Sequence, residues 1–157
     1  MRRATPGKTP SYAGFQPASE AASKAKRANR REDTAHEVLL RKALWRLGLR
    51  YRKHVPRLPG KPDLVFRQAR VVVFCDGDFW HGRNWPRLRR QLARRHNADY
   101  WIAKIARNRT RDAENTRSLE RAGWIVVRLW ETDIKQDPGG TAVTIRAIVH
   151  ARANPAS

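Results

Sequence analysis

The segment from Val71 to Gly82 joins an apolar run to residues that can carry out acid–base or metal chemistry. It reads Val-Val-Val-Phe-Cys-Asp-Gly-Asp-Phe-Trp-His-Gly, so a run typical of a buried strand ends at Asp76. Two carboxylates, two adjacent aromatic rings and an imidazole lie in its second half. The segment therefore predicts a functional loop that exposes Phe79 and Trp80 to a partner with flat faces to stack on.

A further carboxylate, Asp63, is predicted to reach this loop through a hairpin. Its strand begins at or after Pro62, which cannot donate to a ladder. If Phe66 pairs with Val71, the antiparallel register places Asp63 opposite Phe74 and beside the Cys75 and Asp76 backbone. The Asp63 and Asp76 carboxylates then share a face, whereas a slip of one residue would separate them.

Two carboxylates this close repel each other unless a cation lies between them. A hard divalent ion such as magnesium would satisfy the pair, and His81 could transfer a proton near neutral pH. Each residue alone would fit an ordinary surface loop. Together, in a chain this basic, they favour a site that cleaves phosphodiesters.

Charge is the main feature of the composition. The 157 residues include 34 Lys and Arg against 14 Asp and Glu, a net charge of +20. A nucleic acid is the expected partner; an anionic membrane surface is the alternative, but the basic residues run through the whole chain rather than along one amphipathic helix. The single cysteine excludes an intrachain disulfide and an all-cysteine metal cage. No stretch has the length of a membrane helix or the apolar core of a secretory signal, so we expect a cytoplasmic protein.

The chain divides into three parts. Residues 1–31 predict a flexible basic arm, with a solvated leader of no function as the alternative. Residues 32–151 form the expected domain, and residues 152–157 a disordered tail. The basic residues of the second half of the arm are Lys24, Lys26, Arg27, Arg30 and Arg31.

Local patterns predict a helix, a strand, a two-stranded hairpin, a helix, a strand and a helix. Glu37 has the spacing of a capping box with Thr34, so it either caps the first helix or projects into a site. The basic segment 84–95 indicates a short helix or ordered loop that contacts phosphates or is merely solvated. The remaining predicted bounds are a first helix from Thr34 to Gly48, strands at 49–55, 63–66, 71–76 and 124–130, helices at 99–122 and 141–151, and a loop at 137–140.

This order is that of the restriction-endonuclease-like α/β core, a mixed central sheet of about four strands flanked by helices. Within it, separated motifs from about Ser23 to Glu131 resemble the very short patch repair (Vsr) endonucleases. These motifs are residues 28–34 (ANRREDT), 59–66 (PGKPDLVF), 76–82 (DGDFWHG), 100–108 (YWIAKIARN) and 122–131 (AGWIVVRLWE).

The resemblance implies a magnesium-dependent enzyme of the bacterial cytoplasm and nucleoid, acting as a monomer. Such enzymes nick one DNA strand on the 5′ side of the thymine in a T·G mismatch. By position, Asp63 would bind the metal with the main-chain oxygen of Cys75, and His81 would be the catalytic histidine. Glu37 would be the supporting acid, and Asp76 stands beside the site.

The resemblance also implies how DNA is held. Phe79, Trp80 and Trp101 match aromatic residues that wedge into the duplex, although a tryptophan at helical spacing is more often part of the core. The basic arm matches an N-terminal DNA clamp. Further expected contacts to the DNA backbone are Lys61, Arg83, Lys104 and Arg107.

One departure from the family concerns its structural zinc. The positions of its Cys and His ligands carry Asp78, Arg83, Trp85 and Thr132 here, so we expect no structural zinc. An Asp78–Arg83 ion pair and the packing of Trp85 are hypothesised to replace it.

Three functions stay open on the sequence alone. The first is a mismatch nickase. Its variant is a nickase with relaxed or different specificity, as in anti-phage defence. The second is a catalytically idle protein that binds distorted DNA, which the retention of Glu37, Asp63 and His81 argues against. The third, a basic structural or RNA-binding protein, leaves the hairpin carboxylates unexplained.

Overall fold

The computed structural model of the protein describes residues 32–155, and the predicted basic arm lies outside the described residues. The described part contains five helices and four strands. They are α1 (Ala35–Arg46), β1 (Arg52–Lys53), β2 (Leu64–Phe66), β3 (Val71–Asp76), α2 (Trp85–Leu92), α3 (Ala98–Arg121), β4 (Ile125–Trp130), α4 (Glu131–Gln136) and α5 (Pro138–Ala153).

The four strands form one mixed sheet in the order β1-β2-β3-β4. The β1–β2 and β2–β3 pairs are antiparallel, and β3 runs parallel to β4. Helices flank this sheet, which confirms the predicted restriction-endonuclease-like class. No helix within residues 32–155 combines the length and the apolar character needed to cross a bilayer.

Strand β3 is the centre of the core, because all six of its residues are buried. Its side chains alternate between two apolar clusters. Val71, Val73 and Cys75 pack in the cluster that contains residues of α1, α4 and α5. Val72 and Phe74 pack in the cluster that contains Leu119 of α3. A strand covered on both faces explains the unbroken β-branched run in the sequence.

The hairpin has the predicted register, with Phe66 opposite Val71. Asp63 directly precedes β2, and its Oδ2 accepts a hydrogen bond from the backbone N–H of Cys75 at 2.7 Å. The end of the hairpin therefore brings Asp63 to the point where β3 gives way to the loop.

The predicted strand at 49–55 is wrong in extent, since β1 covers only Arg52–Lys53. His54, with φ of +46°, departs from the extended conformation directly after Lys53, and its N–H bonds the Asp63 carbonyl at 3.1 Å. The alternation of apolar and basic residues there does not mark a long strand.

The predicted loop at 137–140 is also wrong, because it forms the first turn of α5. Asp137 caps that helix by accepting the N–H of Gly140 at 2.9 Å, and Pro138 occupies an initial position that needs no intrahelical N–H. The helix continues to Ala153, so the first two residues of the predicted tail are helical. Sequence patterns also missed the short helix α4.

A glycine pair offers a test of how closely the loop after β3 packs on α3. A Cβ on Gly82 (φ +68°) would lie 2.6 Å from Arg109 Cδ and 3.0 Å from Ile105 Cγ2, whereas one on Gly48 (φ +79°) meets nothing within 4 Å. We expect Gly48→Ala to cost about 1 kcal/mol for its left-handed backbone. Gly82→Ala should cost roughly 1–3 kcal/mol more from overpacking. Urea unfolding measures both, and equal losses would show that the loop is loosely packed.

Candidate active site

Asp63 is a largely buried carboxylate with an unusual acidity. Its side chain is 17% exposed, and Oδ1 lies 3.7 Å from His54 Nδ1. Burial, followed by the negative charges of Glu37 and Asp76, raises the pKa of Asp63 to about 7, against the lowering effect of the Cys75 N–H and of His81. The contacts agree with this electrostatic coupling, since His54 lies 3.7 Å from both Glu37 and Asp63, and His81 lies 3.6 Å from Asp76. The four predicted catalytic residues thus gather at the end of β3.

The donors at this point fit a hard divalent cation. Asp63 offers carboxylate oxygen, and the Cys75 carbonyl beside it offers a second hard oxygen. Burial raises the pKa of the Cys75 thiol well above its ordinary value, so Cys75 would contribute through its carbonyl and not as a thiolate. His36 Nε2 lies 3.2 Å from the same carbonyl, which orients it.

His81 is held by a carboxylate that the sequence did not point to. Its Nδ1 lies 2.6 Å from Asp112 Oδ2 and 3.6 Å from Asp76 Oδ1. Burial lowers the pKa of His81, but the Asp112 hydrogen bond and the charges of Asp76 and Asp112 outweigh it, so the pKa is raised. With Nδ1 turned to Asp112, Nε2 is left to exchange a proton with a substrate.

Asp76 is held by an arginine from the neighbouring strand. Its two carboxylate oxygens accept hydrogen bonds from Arg128 Nη1 at 3.0 and 2.9 Å. Arg128 also bonds the Asp112 carbonyl at 3.3 Å and the Thr116 hydroxyl at 2.9 Å. Asp76 is only 5% exposed, so this ion pair balances its charge and fixes it beside His81.

Glu37 makes contacts ahead of α1 and also lies near Asp63; its role as a supporting acid stays a prediction. Its carboxylate accepts the N–H of Asp33 at 3.1 Å and the hydroxyl of Thr34 at 2.9 Å, so it caps the chain ahead of α1, although not through the Thr34 N–H. The same carboxylate lies 3.7 Å from His54 Nε2 and is close enough to raise the pKa of Asp63.

Asp33, Glu37 and His54 also form a group whose ligand atoms lie within 4.8 Å of one another. Asp33 is already paired with Arg41 at 2.7 Å, and Arg41 lies 3.6 Å from Glu37. The positive charge of Arg41 competes with a cation, so the group is better described as a charge network behind Asp63.

The aromatic residues of the loop pack on one another and on α3. The ring centroids of Phe79, Trp80 and Trp101 lie 5.2–5.8 Å apart, and Trp101 also meets Tyr100 at 5.2 Å. Asn108 Nδ2 donates to the Trp80 carbonyl at 2.9 Å. The rings are half-buried, not fully exposed as expected, because each covers part of its neighbour. Trp101, for which core burial was the alternative, belongs to this group.

The described residues predicted to contact the DNA backbone also have contacts within the protein. Lys61 pairs with Glu32, and Arg83 pairs with Asp133 at 3.0 Å. The Lys104 ammonium donates to the Tyr100 hydroxyl at 3.0 Å, while Arg107 is exposed on α3. The five predicted contacts of the arm, Lys24, Lys26, Arg27, Arg30 and Arg31, lie outside the described residues.

Three of the four positions at which zinc ligands were expected in relatives, Asp78, Arg83 and Thr132, are linked to one another, and the fourth, Trp85, packs on α3. Asp78 accepts hydrogen bonds from the hydroxyl and, at 3.4 Å, the backbone N–H of Thr132. Arg83 lies 3.8 Å from Asp78, and Trp85 lies beneath the Arg109 guanidinium at 5.6 Å. These contacts tie the loop to α3 and α4, as the hypothesis of a zinc replacement requires; whether zinc binds stays a prediction.

Sequence reasoning missed His36, His54, Asp112 and Arg128. Two of them had a usable signal. Asp112 follows Asn108 by four residues, on one face of a helix. Arg128 interrupts the apolar strand Ile-Val-Val-Arg-Leu-Trp, and a charge in such a strand indicates a buried partner.

Comparison with known proteins decides the family. The family described as DNA mismatch endonuclease Vsr matches residues 16–87. The type II nicking enzyme V.NmeDIP of Neisseria meningitidis serogroup C is 41% identical over 130 residues, covering 83% of this chain and 86% of that protein. The chain belongs to the Vsr family.

Two further relatives agree with this membership. The type II nicking enzyme V.NaeI of Lentzea aerocolonigenes is 41% identical over 140 residues, 85% of this chain and 82% of its own. The DNA mismatch endonuclease Vsr of Escherichia coli K12 is 34% identical over 113 residues, 72% and 70% of the two chains. This Vsr-family protein is therefore a DNA endonuclease.

The raised pKa of Asp63 predicts how this Vsr-family protein responds to pH. A folded-state pKa of about 7 against an ordinary 3.8 means that stability falls as the pH rises from about 4 through 7. Asp63→Asn keeps an acceptor for the Cys75 N–H and cannot ionise. In EDTA, we expect the mutant to gain stability over the wild type across that range, by a few kcal/mol at most.

Urea unfolding at pH 5 and pH 8 would measure the difference. Glu114→Gln removes an exposed carboxylate of α3 and serves as the control. A stability difference between wild type and Asp63→Asn that does not grow with pH would mean that Asp63 ionises normally.

Proposed function

We propose that this endonuclease nicks one DNA strand on the 5′ side of the thymine in a T·G mismatch, with magnesium, in very short patch repair. The observation that carries the proposal is the placement of Asp63 at the end of β3 and of His81 in the loop that follows, directly after Phe79 and Trp80 of the aromatic cluster. The relative named as a mismatch endonuclease supports the choice of a mismatch, and the relative named as a nicking enzyme supports the cleavage of one strand. The chain is proposed to act as a monomer, with one site for one strand.

Hydrolysis at this site needs a bound phosphate, a water nucleophile and a proton acceptor. Asp63 and the Cys75 carbonyl would hold magnesium, which supplies charge for the phosphate and lowers the pKa of bound water. His81 Nε2 takes the proton from the attacking water, because Asp112 holds Nδ1 and stabilises the imidazolium that forms. Asp76, held by Arg128, lies 3.6 Å from the same Nδ1 and adds a second negative charge beside it.

The aromatic cluster accounts for the choice of a mismatch. A wobble pair stacks weakly, so inserting a ring beside it costs less than at a paired step, where unstacking costs a few kcal/mol. Mutual packing, together with the Asn108 hydrogen bond to the Trp80 carbonyl, holds the rings ready before DNA binds. Little ordering is then left to be done on binding.

Cleavage of end-labelled duplexes tests this function. One duplex is fully paired and one carries a single T·G mismatch, each in magnesium and in EDTA, with Asp63→Ala alongside. We expect a magnesium-dependent nick 5′ to the mismatched thymine that Asp63→Ala abolishes while DNA binding persists. Equal cutting of both duplexes would refute mismatch specificity and favour a role in defence. Tight mismatch binding without cutting would favour an idle binder.

The Asp112–His81 contact predicts a shift in the pH dependence of cleavage. Because Asp112 raises the pKa of His81, Asp112→Asn should move the acidic limb of the pH–rate profile to lower pH. The maximal rate should fall about 10²-fold or more, since the imidazolium loses its counter-charge. Glu114→Gln, two residues further along α3, removes the same charge from an exposed position. A lower rate with an unmoved limb would assign Asp112 to folding instead.

A further inference from the structure

Helix α2 is amphipathic in a way that the catalytic site does not explain. Its apolar side chains, Leu88 and Leu92, lie four residues apart, and Leu92 is buried. On another face, an open depression of about 470 Å³ is lined by residues spaced at 0, 3, 4, 7 and 8 positions. This is the spacing of one helical stripe. Its members are Arg87, Arg90, Gln91, Arg94 and Arg95.

The stripe is positive and lacks a counter-charge. All four arginines are exposed, and none makes an ion pair or a side-chain hydrogen bond with the residues that the structure describes. The sequence carries no acid between Asp78 and Asp99. By contrast, the arginines of the catalytic region, Arg41, Arg83 and Arg128, all have carboxylate partners.

Placing Arg87 and Arg90 three residues apart within α2 opposes the folding of this helix. Like charges three and four residues apart destabilise a helix, and the first turn of α2 has no acid and no side-chain cap. The helix is kept by its apolar side, including Trp85 beneath Arg109 of α3. A bound polyanion would neutralise these positive charges and so remove their repulsion.

We infer that the stripe Arg87, Arg90, Gln91, Arg94 and Arg95 binds the phosphate backbone of the duplex beyond the nicking site. The inference rests on the proposed function for the kind of DNA involved. The first residue of α2, Trp85, packs against Arg109 of α3, the helix that also carries Trp101 of the aromatic cluster, so a duplex seated on that cluster lies near α2. The stripe begins on α2, which ends at Leu92, and continues through the turn that carries Arg94 and Arg95. It runs alongside several phosphates of one strand, each about 3.4 Å further along the axis.

Phosphate is favoured over an acidic protein segment because all the cations are arginines. The planar guanidinium matches a phosphate with two parallel hydrogen bonds and is weakly hydrated. The surface gives no base contact, so it adds affinity and orientation and leaves mismatch choice to the aromatic cluster. The enzyme should therefore need a longer duplex than its active site alone spans.

The test uses the full chain and the variant R87Q/R90Q/R94Q/R95Q. The control, K42Q/R46Q/R117Q/R121Q, removes the same charge from exposed positions on α1 and α3. Dissociation constants are measured between 50 and 200 mM salt on 12-base-pair and 30-base-pair duplexes, each with and without a central T·G. We expect the stripe variant to bind the 30-base-pair duplexes more than tenfold less tightly. Its salt slope should fall by about 2 to 4, since each lost phosphate contact changes the slope by about 0.9.

On the 12-base-pair duplexes, the loss of affinity should be smaller, because about six base pairs to either side of the mismatch engage fewer of the four arginines. The control should change the slope by clearly less. Replacing the same four arginines by lysine should keep the slope, and thermal unfolding of the stripe variant at or above the wild-type temperature would show that it folds.

Each outcome separates this inference from the proposed function. If the wild type nicks as expected, but the stripe variant binds DNA like the control variant, only the inference is overturned. If the wild type nicks no duplex, but the stripe variant has a smaller salt slope than the wild type, the proposed function is overturned and the inference is supported. Binding of polyglutamate through the four arginines, with an unchanged slope on DNA, would replace the phosphate backbone by an acidic protein partner.

Discussion

The site depends on holding four carboxylates in a partly desolvated space at the end of β3, where their mutual repulsion is strong. Asp76 is paired with Arg128, Glu37 lies near Arg41, and Asp112 bonds His81 at 2.6 Å. Asp63 accepts one backbone N–H and, within residues 32–155, has no lysine or arginine within ion-pair distance but only the His54 imidazole at 3.7 Å. The unbalanced charge of the group is thus concentrated on Asp63. That is where an external cation is most strongly attracted.

The loop that carries the aromatic rings is fixed by contacts at three separate points. Asp78 binds Thr132 near its start, Asn108 binds the Trp80 carbonyl, and Gly82 sits against the side chains of α3. Each of these contacts restricts the motion of a different part of the loop. Rings that are held in this way lose little conformational entropy when they meet DNA.

Features set by short-range patterns could be predicted from the sequence. The hairpin register followed from the Val71–Asp76 run and from Pro62, and α3 begins and ends within a residue of the expected bounds. The same patterns placed Asp63 beside the loop without any knowledge of the rest of the fold.

Features that depend on how distant elements pack could not be predicted. Asp112 reaches His81 only because α3 lies across the loop, and Arg128 reaches Asp76 only because β4 pairs in parallel with β3. The predicted strand at 49–55 and the predicted loop at 137–140 were wrong for a different reason, because the local sequence there fits two structures. An Asp-Pro-Gly-Gly run fits a loop as well as it fits a capped helix start, and packing chose the helix.

Strand β1 has a consequence for the behaviour of the protein at high concentration. It forms one border of the sheet, where unpaired N–H and C=O groups can recruit a strand from another chain. With only two residues, Arg52 and Lys53, both exposed, it offers little length for such pairing, and a second copy would bring the same positive charges to the same place. The border is thus protected against self-aggregation by its shortness and its charge.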